Sequence, residues 1–258
     1  MKRIIFSLYT DNVDQHQSAT SYKRNQFLEY KDLLLARQKE YALACGADYE
    51  LFTTKETDYN IIQFDKILKI EELCKYYDEV LYLDFDVIPR TLTNFFDRFD
   101  LNNLCIYPLS TKLPDRDIFH WRITEWEFEW DPMEMFVKCC AKNAMLLLEG
   151  VTGSQECVNT GVFGANKYSI EKLAFSENIQ PCKDLLQQAK NDNIYPGLIS
   201  DAWIPNNEVF VSYLLERYNI PFTNIGMGWN FILDHITREP SIACHFIHCV
   251  NKDFSVIL

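Results

Sequence analysis

Two stretches of helical periodicity separate three apolar runs at the start of this chain, and that alternation restricts the fold more than any other feature. Residues 4–9 (IIFSLY), 47–53 (ADYELFT) and 80–85 (VLYLDF) have the length and composition of strands. Across 22–45, Phe27, Leu34, Tyr41 and Cys45 recur at helical spacing with Leu28, Leu35 and Ala42 beside them, and Gly46 suits a helix stop. Across 61–77, Phe64, Ile67, Ile70, Cys74 and Tyr77 follow one another at intervals of three or four. A β-α-β-α-β order of this kind predicts an α/β domain built on a parallel sheet with helices on its faces.

The third run continues as VLYLDFDVIPR, residues 80–90. Unbroken apolar residues from Val80 to Leu83 suit a central strand covered on both faces, where alternation is not needed. Asp84 and Asp86 then fall at the carboxyl end of that strand, where open α/β sheets bind their ligands. Two carboxylates in such a crevice repel each other and resist desolvation unless a cation joins them. Hard divalent ions such as Mn²⁺ or Mg²⁺ take oxygen ligands and bridge carboxylates to substrate phosphates.

Further along, 104–108 reads as a short strand, 131–148 as a helix, 158–165 as a strand holding Gly161 and Gly164, 181–190 and 206–217 as helices, and 241–250 as a closing strand. No repeat, low-complexity tract or linker interrupts 1–258, so a single domain is expected. The formal net charge of -12, with no Lys/Arg-rich block, argues against a nucleic-acid partner. An anionic small molecule would need local basic residues or a metal. Nine cysteines without a Cys-x-x-Cys pair read as reduced, mostly buried thiols. The opening MKRIIFSLYT holds no apolar stretch of signal-peptide or anchor length, so the expectation is a cytoplasmic protein of a microbe or virus with no membrane span.

The ordered series of β-α-β-α-β, apolar-apolar-Tyr-Leu-Asp-x-Asp, Asn-Thr-Gly-Val, an amide and acidic triplet opening a helix, and a late His-Phe strand resembles the nucleotide-sugar glycosyltransferases of the GT-A fold, nearest to families 8 and 34. The resemblance implies a Rossmann-like, mostly parallel central sheet with helices on both faces and a smaller C-terminal acceptor-side subregion. It assigns about 1–100 to nucleotide binding and about 101–258 to the sugar and acceptor. It implies Asp86 as the principal ligand of Mn²⁺ or Mg²⁺ and Asp84 as its partner, which also touches the donor. In CHFIHCVNK the resemblance points to His245 as the third ligand. His248 stands where the family has Gly and is the alternative, since the two face opposite sides of a strand.

Lys66, Lys252, Tyr9 and Thr10 match donor-binding positions, with Lys252 one residue late, and Asn159 in CVNTGVFGANK would bond sugar hydroxyls. Asn206, Asn207 and Glu208 stand at the family's Asp-Gln-Asp triplet, making Glu208 with Asn207 the catalytic candidates. The same residues also suit a plain helix start, with Asn as cap and Glu facing the dipole. Trp121, Trp126 and Trp130 would offer an acceptor platform or cap a core.

The function these readings imply is metal-dependent transfer of a hexose or pentose from a nucleoside diphosphate, UDP foremost, to a hydroxyl of a glycan, protein or small molecule, with retention favoured. A haloacid-dehalogenase-like phosphohydrolase is the enzymatic alternative, since Asp-x-Asp and Thr91-Leu92 follow a strand. That reading needs Asp84 as nucleophile, usually has Gly-Thr directly after the motif where Val87-Ile88-Pro89 stands, and wants a later acidic pair that this chain lacks. A non-catalytic carbohydrate-binding module would bind sugar without nucleotide or metal.

Overall fold

The computed structural model describes residues 1–10, 21–54, 59–110, 130–233, 244–250 and 252–256. In chain order the elements are β1 (Arg3–Tyr9), α1 (Ser21–Ala44), β2 (Asp48–Thr53), α2 (Tyr59–Leu73), β3 (Glu79–Leu83), β4 (Val87–Pro89), α3 (Phe95–Arg98), β5 (Leu104–Ser110) and α4 (Trp130–Leu148). They continue with β6 (Glu156–Ala165), α5 (Lys167–Glu171), α6 (Phe175–Asn191), α7 (Gly197–Ser200), α8 (Asn207–Arg217), β7 (Phe222–Asn224), β8 (Phe231–Ile232) and β9 (Phe246–His248). None of the described helices is long and apolar enough to cross a membrane.

The chain forms two compact units: Met1–Tyr107 with Asn159–Ser176 and Pro221–Leu258, and Pro108–Val158 with Glu177–Ile220. In the first, strands run in the order β2-β1-β3-β6-β5-β7. β1 is parallel to β2 and β3, β5 is parallel to β7, and β6 runs antiparallel to β3. The α/β class and mostly parallel central sheet are therefore as expected. Ile4, Ile5 and Phe6 of β1 and Val80, Leu81 and Leu83 of β3 are all buried, which is why these strands do not alternate. Each such side chain contributes roughly 1.5–3 kcal/mol by leaving water.

After Leu83 the chain leaves this sheet. Asp84, Phe85 and Asp86 turn it into β4, which pairs with β9 in a second, three-stranded sheet of order β4-β9-β8. The antiparallel register sets Val87 opposite His248 and Ile88 opposite Ile247. The carboxylate pair thus sits at the crossing from one sheet to the other, and β9 brings an imidazole beside it. The closing strand is shorter than 241–250, since β9 covers Phe246–His248 and residues 241–243 lie outside the described ones.

In α6 the helix begins six residues before the expected start at Pro181. Glu71 explains the difference, because its carboxylate accepts from the backbone N–H groups of Phe175 (2.7 Å) and Ser176 (3.2 Å). A cap delivered from more than a hundred residues away leaves no local signal.

The second unit packs α4 against α8 and α7. α8 is buried from Asn207 to Leu215. Lys142 of α4 is fully buried, and its ammonium donates to Ser154 O (3.0 Å), Glu156 O (2.7 Å) and Glu216 Oε1 (2.5 Å). Buried charge is tolerated there because it is paired and hydrogen-bonded. All nine cysteines are free and buried.

Candidate functional site

The Asp84–Asp86 turn is held from both sides. Phe85 is buried, its ring 5.0 Å from that of Tyr9 and 6.2 Å from that of Phe27, so the residue between the carboxylates anchors in a core. Gln38 of α1 closes the backbone: its Nε2 donates to Asp84 O (3.1 Å) and Val87 O (2.9 Å), while its Oε1 lies 2.7 Å from the hydroxyls of Ser7 and Tyr49. Asp84 N donates to Gly161 O at 2.7 Å, and Cys249 N to Asp86 O at 3.0 Å. With its main-chain groups committed in this way, the turn presents its two side chains from a fixed frame.

Those side chains meet His248. One ligand atom from each of Asp84, Asp86 and His248 lies within 4.8 Å of the other two. His248 Nε2 is 3.5 Å from both Asp84 Oδ2 and Asp86 Oδ2. Two carboxylate oxygens and an imidazole nitrogen at this spacing form a donor set suited to Mn²⁺ or Mg²⁺, the imidazole inclining it toward the transition metal. His248 Nδ1 is buried without a hydrogen-bond partner.

Two lysines complete the cluster. Lys66 Nζ lies 3.2 Å from Asp84 Oδ1, which also accepts from the Tyr82 hydroxyl at 2.5 Å. Lys252 pairs with Asp86 Oδ2. Burial pushes the Asp84 carboxyl upward, but Lys66, His248, the Tyr82 hydroxyl and Lys252 together outweigh it and hold the group below the usual carboxylate range.

The two histidines of the late motif separate clearly in space. His248 joins the carboxylates, whereas His245 stacks on Trp229 with ring centroids 4.2 Å apart, and its Nδ1 is 2.8 Å from Thr91 Oγ1. Burial, then Arg98, lowers the pKa of His245. The three-residue offset on an extended strand sends the rings to opposite sides, and the pairing of β9 with β4 decides which one meets Asp86.

Asn159 lies in β6 with its Oδ1 accepting from Gly161 N (3.0 Å) and from Nδ2 of the fully buried Asn230 (2.8 Å). Tyr9 ends β1 with its ring buried against Phe85, and Thr10 follows it as the last described residue before 11–20. Tyr9, Asp84, Asp86, Asn159, His248, Lys66 and Lys252 all belong to the first unit.

In the second unit, Asn206 caps α8 through Oδ1, which accepts from Glu208 N (2.8 Å) and Val209 N (3.4 Å). Asn207 Oδ1 also lies 3.0 Å from Glu208 N. Buried Glu208 pairs with Lys138 at 2.6 Å, and Lys138 also meets Glu134 at 2.5 Å. Burial would depress the Lys138 ammonium, but Glu208 and Glu134 prevail and raise its pKa. Trp121 and Trp126 lie outside the described residues, and Trp130 is the first residue of α4.

Two positions in these networks escape a reading of motifs alone. Gln38 and Asn230 touch the turn or its neighbours without belonging to any recognisable pattern, whereas Tyr82 stands inside the apolar-apolar-Tyr-Leu-Asp-x-Asp run and only its hydrogen bond to Asp84 went unread. Gln38 carried one legible signal, as a polar residue on the apolar stripe of Leu34, Tyr41, Ala42 and Cys45.

No family profile and no curated protein matches the sequence. Among solved structures the chain is similar to a glycosyltransferase involved in the glycosylation of the major capsid of PBCV-1, at 14% identity over 100% of both chains and a TM-score of 0.47. It is also similar to galactosyltransferase LgtC in complex with donor and acceptor sugar analogues, at 16% identity over 96% of this chain and 87% of that one, with a TM-score of 0.44. Mouse xyloside xylosyltransferase 1 in its apo form is a third, at 11% identity over 97% and 98% of the chains and a TM-score of 0.43.

Proposed function

We propose that this protein is a metal-dependent glycosyltransferase that moves a hexose or pentose from a nucleoside diphosphate, UDP foremost, to a hydroxyl of a glycan, protein or small molecule, with retention at the anomeric carbon. One observation carries the reading: at the end of a central strand, two carboxylates, one imidazole and two ammonium groups converge on one place. That set combines ligands for a divalent cation with cations for phosphate oxygens.

Asp84, Asp86 and His248 would hold Mn²⁺ or Mg²⁺, and the ion, when bound, supplies Lewis-acid neutralisation of a departing diphosphate. Lys66 and Lys252, which pair with Asp84 and Asp86, would offer point charges to the diphosphate oxygens. Tyr9 and Thr10, ending β1, are proposed to border the base. Asn159 is proposed to face the sugar. Its Oδ1 already accepts from two N–H groups, so the carboxamide is oriented before any ligand arrives.

For the transfer step we propose Glu208 and Asn207 as the residues acting on the sugar or acceptor. Support comes from a carboxylate that is buried and held against an ammonium, which keeps a fixed negative charge of the kind that stabilises an oxocarbenium-like centre.

The reading is tested by titrating UDP, then GDP, into the protein calorimetrically with Mn²⁺ and again with EDTA. Binding of one nucleoside diphosphate that requires the metal supports it. Absence of binding in both conditions refutes it.

A further inference from the structure

Every carboxylate of the Asp84–Asp86 pair already has an ammonium of its own. Lys66 faces Asp84 and Lys252 faces Asp86, so the cluster balances two negative charges with two positive ones from within the chain. These are not solvent-exposed surface pairs. Side-chain exposure is 12% for Lys66, 25% for Asp84, 19% for Lys252 and 7% for Asp86, which weakens screening by water and salt.

The backbone points the same way. Lys252 holds φ at 62°, in the left-handed region that side chains other than Gly and Asn seldom occupy. The turn that imposes this conformation is tied by Lys252 N donating to Cys249 O (3.0 Å) and by Cys249 N donating to Asp86 O (3.0 Å). One small turn therefore grips Asp86 by its carbonyl and delivers an ammonium to its carboxylate, against the conformational preference of lysine.

We propose that Lys66 and Lys252 are built-in counter-cations of the Asp84–Asp86 pair, which neutralise the carboxylates when the site is empty and turn to diphosphate oxygens when a divalent cation replaces them. The inference rests on the proposed glycosyltransferase reading for the second half of that exchange. Lysine suits the task, since its charge sits on a flexible four-carbon stem and can shift between two acceptors without backbone motion.

The consequence is a linkage. An ammonium on a carboxylate opposes cation binding, so a diphosphate that draws the ammonium away raises the affinity for the cation, and the cation raises the affinity for the diphosphate by the same factor. Without nucleotide the protein then binds metal weakly.

The test uses the full chain, Mn²⁺ as one probe and UDP as the other. In Lys252→Gln the opposing charge is gone, so Mn²⁺ alone binds about tenfold more tightly than to the unmodified protein, while UDP in saturating Mn²⁺ binds about tenfold more weakly. Lys66→Gln acts in the same two directions through Asp84, and Lys252→Arg, which keeps the charge, leaves Mn²⁺ binding weak. The opposite signs in one variant are the signature, because a merely damaged site loses both affinities together. Unchanged or weaker Mn²⁺ binding in both Gln variants overturns the inference, as does a lack of Mn²⁺ binding to every form. If UDP fails to bind in any condition, the glycosyltransferase reading falls, while the comparison with Mn²⁺ alone still decides whether the lysines compete with a cation.

Discussion

The His248 imidazole occupies the space that a side chain at residue 161 would need: a Cβ on Gly161 would stand 2.3 Å from His248 Cε1 and 2.6 Å from its Nδ1. Glycine in β6 is therefore required by the ring packed on it, and the ring's position depends on that glycine. Gly161→Ala forces His248 away from Asp84 and Asp86, and a loss of about tenfold or more in Mn²⁺ affinity is expected with UDP present. Gly164→Ala provides the comparison, since its Cβ would meet Phe95 Cε1 at 2.6 Å, away from the carboxylates. It should lower the melting temperature by overpacking, at a cost of about 1–3 kcal/mol, and leave Mn²⁺ affinity alone.

Exchanging the two histidines one at a time separates a ligand from a packing residue. His248→Ala should lower Mn²⁺ affinity by about tenfold or more. His245→Ala loses the stack on Trp229 and the contact with Thr91, which should cost about 0.5–1.5 kcal/mol in urea denaturation while metal affinity is retained. Loss of metal affinity in the second variant alone would reassign the ligand to His245.

Asp84 makes stability depend on acid. Its folded-state pKa is depressed by Lys66, His248, the Tyr82 hydroxyl and Lys252, which outweigh burial. A depressed carboxylate contributes stability above its unfolded pKa and loses it as pH falls through the folded value. The urea midpoints of the unmodified protein and Asp84→Asn, measured without metal, should therefore differ at neutral pH and converge below about pH 4. A constant difference across that range would show that Asp84 is not the titrating group.

Lys138 and Glu208 form a buried pair whose members depend on each other. Lys138→Met strands the Glu208 carboxylate and should destabilise the protein by about 3 kcal/mol. The double variant Lys138→Met with Glu208→Leu should recover part of that loss, because no buried charge is left alone. If Glu208 also acts in transfer, Glu208→Gln removes turnover with folding retained, read by melting temperature beside a sugar-transfer assay.

The first ninety residues were the most legible part of the fold, since β1, β2 and β3 read as short apolar runs and α1 and α2 carry helical spacing. The placement of Asp84 and Asp86 at a strand end followed from the same pattern. What the chain concealed depends on partners distant in sequence. The start of α6 is set by Glu71, the frame of the carboxylate turn by Gln38, and the choice between His245 and His248 by the register of β9 on β4. Lys252 reaches Asp86 from a backbone in the left-handed conformation, which no spacing rule would foresee. Glu208 could be read as a helix-start acid, but the lysine that holds it comes from another helix, seventy residues earlier.

Asp84, Asp86 and His248 are proposed to form one metal centre. Crystals grown with Mn²⁺ and UDP and measured at a wavelength where manganese scatters anomalously test it directly. An anomalous peak is expected in bonding contact with Asp86, with His248 Nε2 and with Asp84 or the diphosphate. A peak bound at His245, or UDP bound with no manganese beside Asp86, would contradict it.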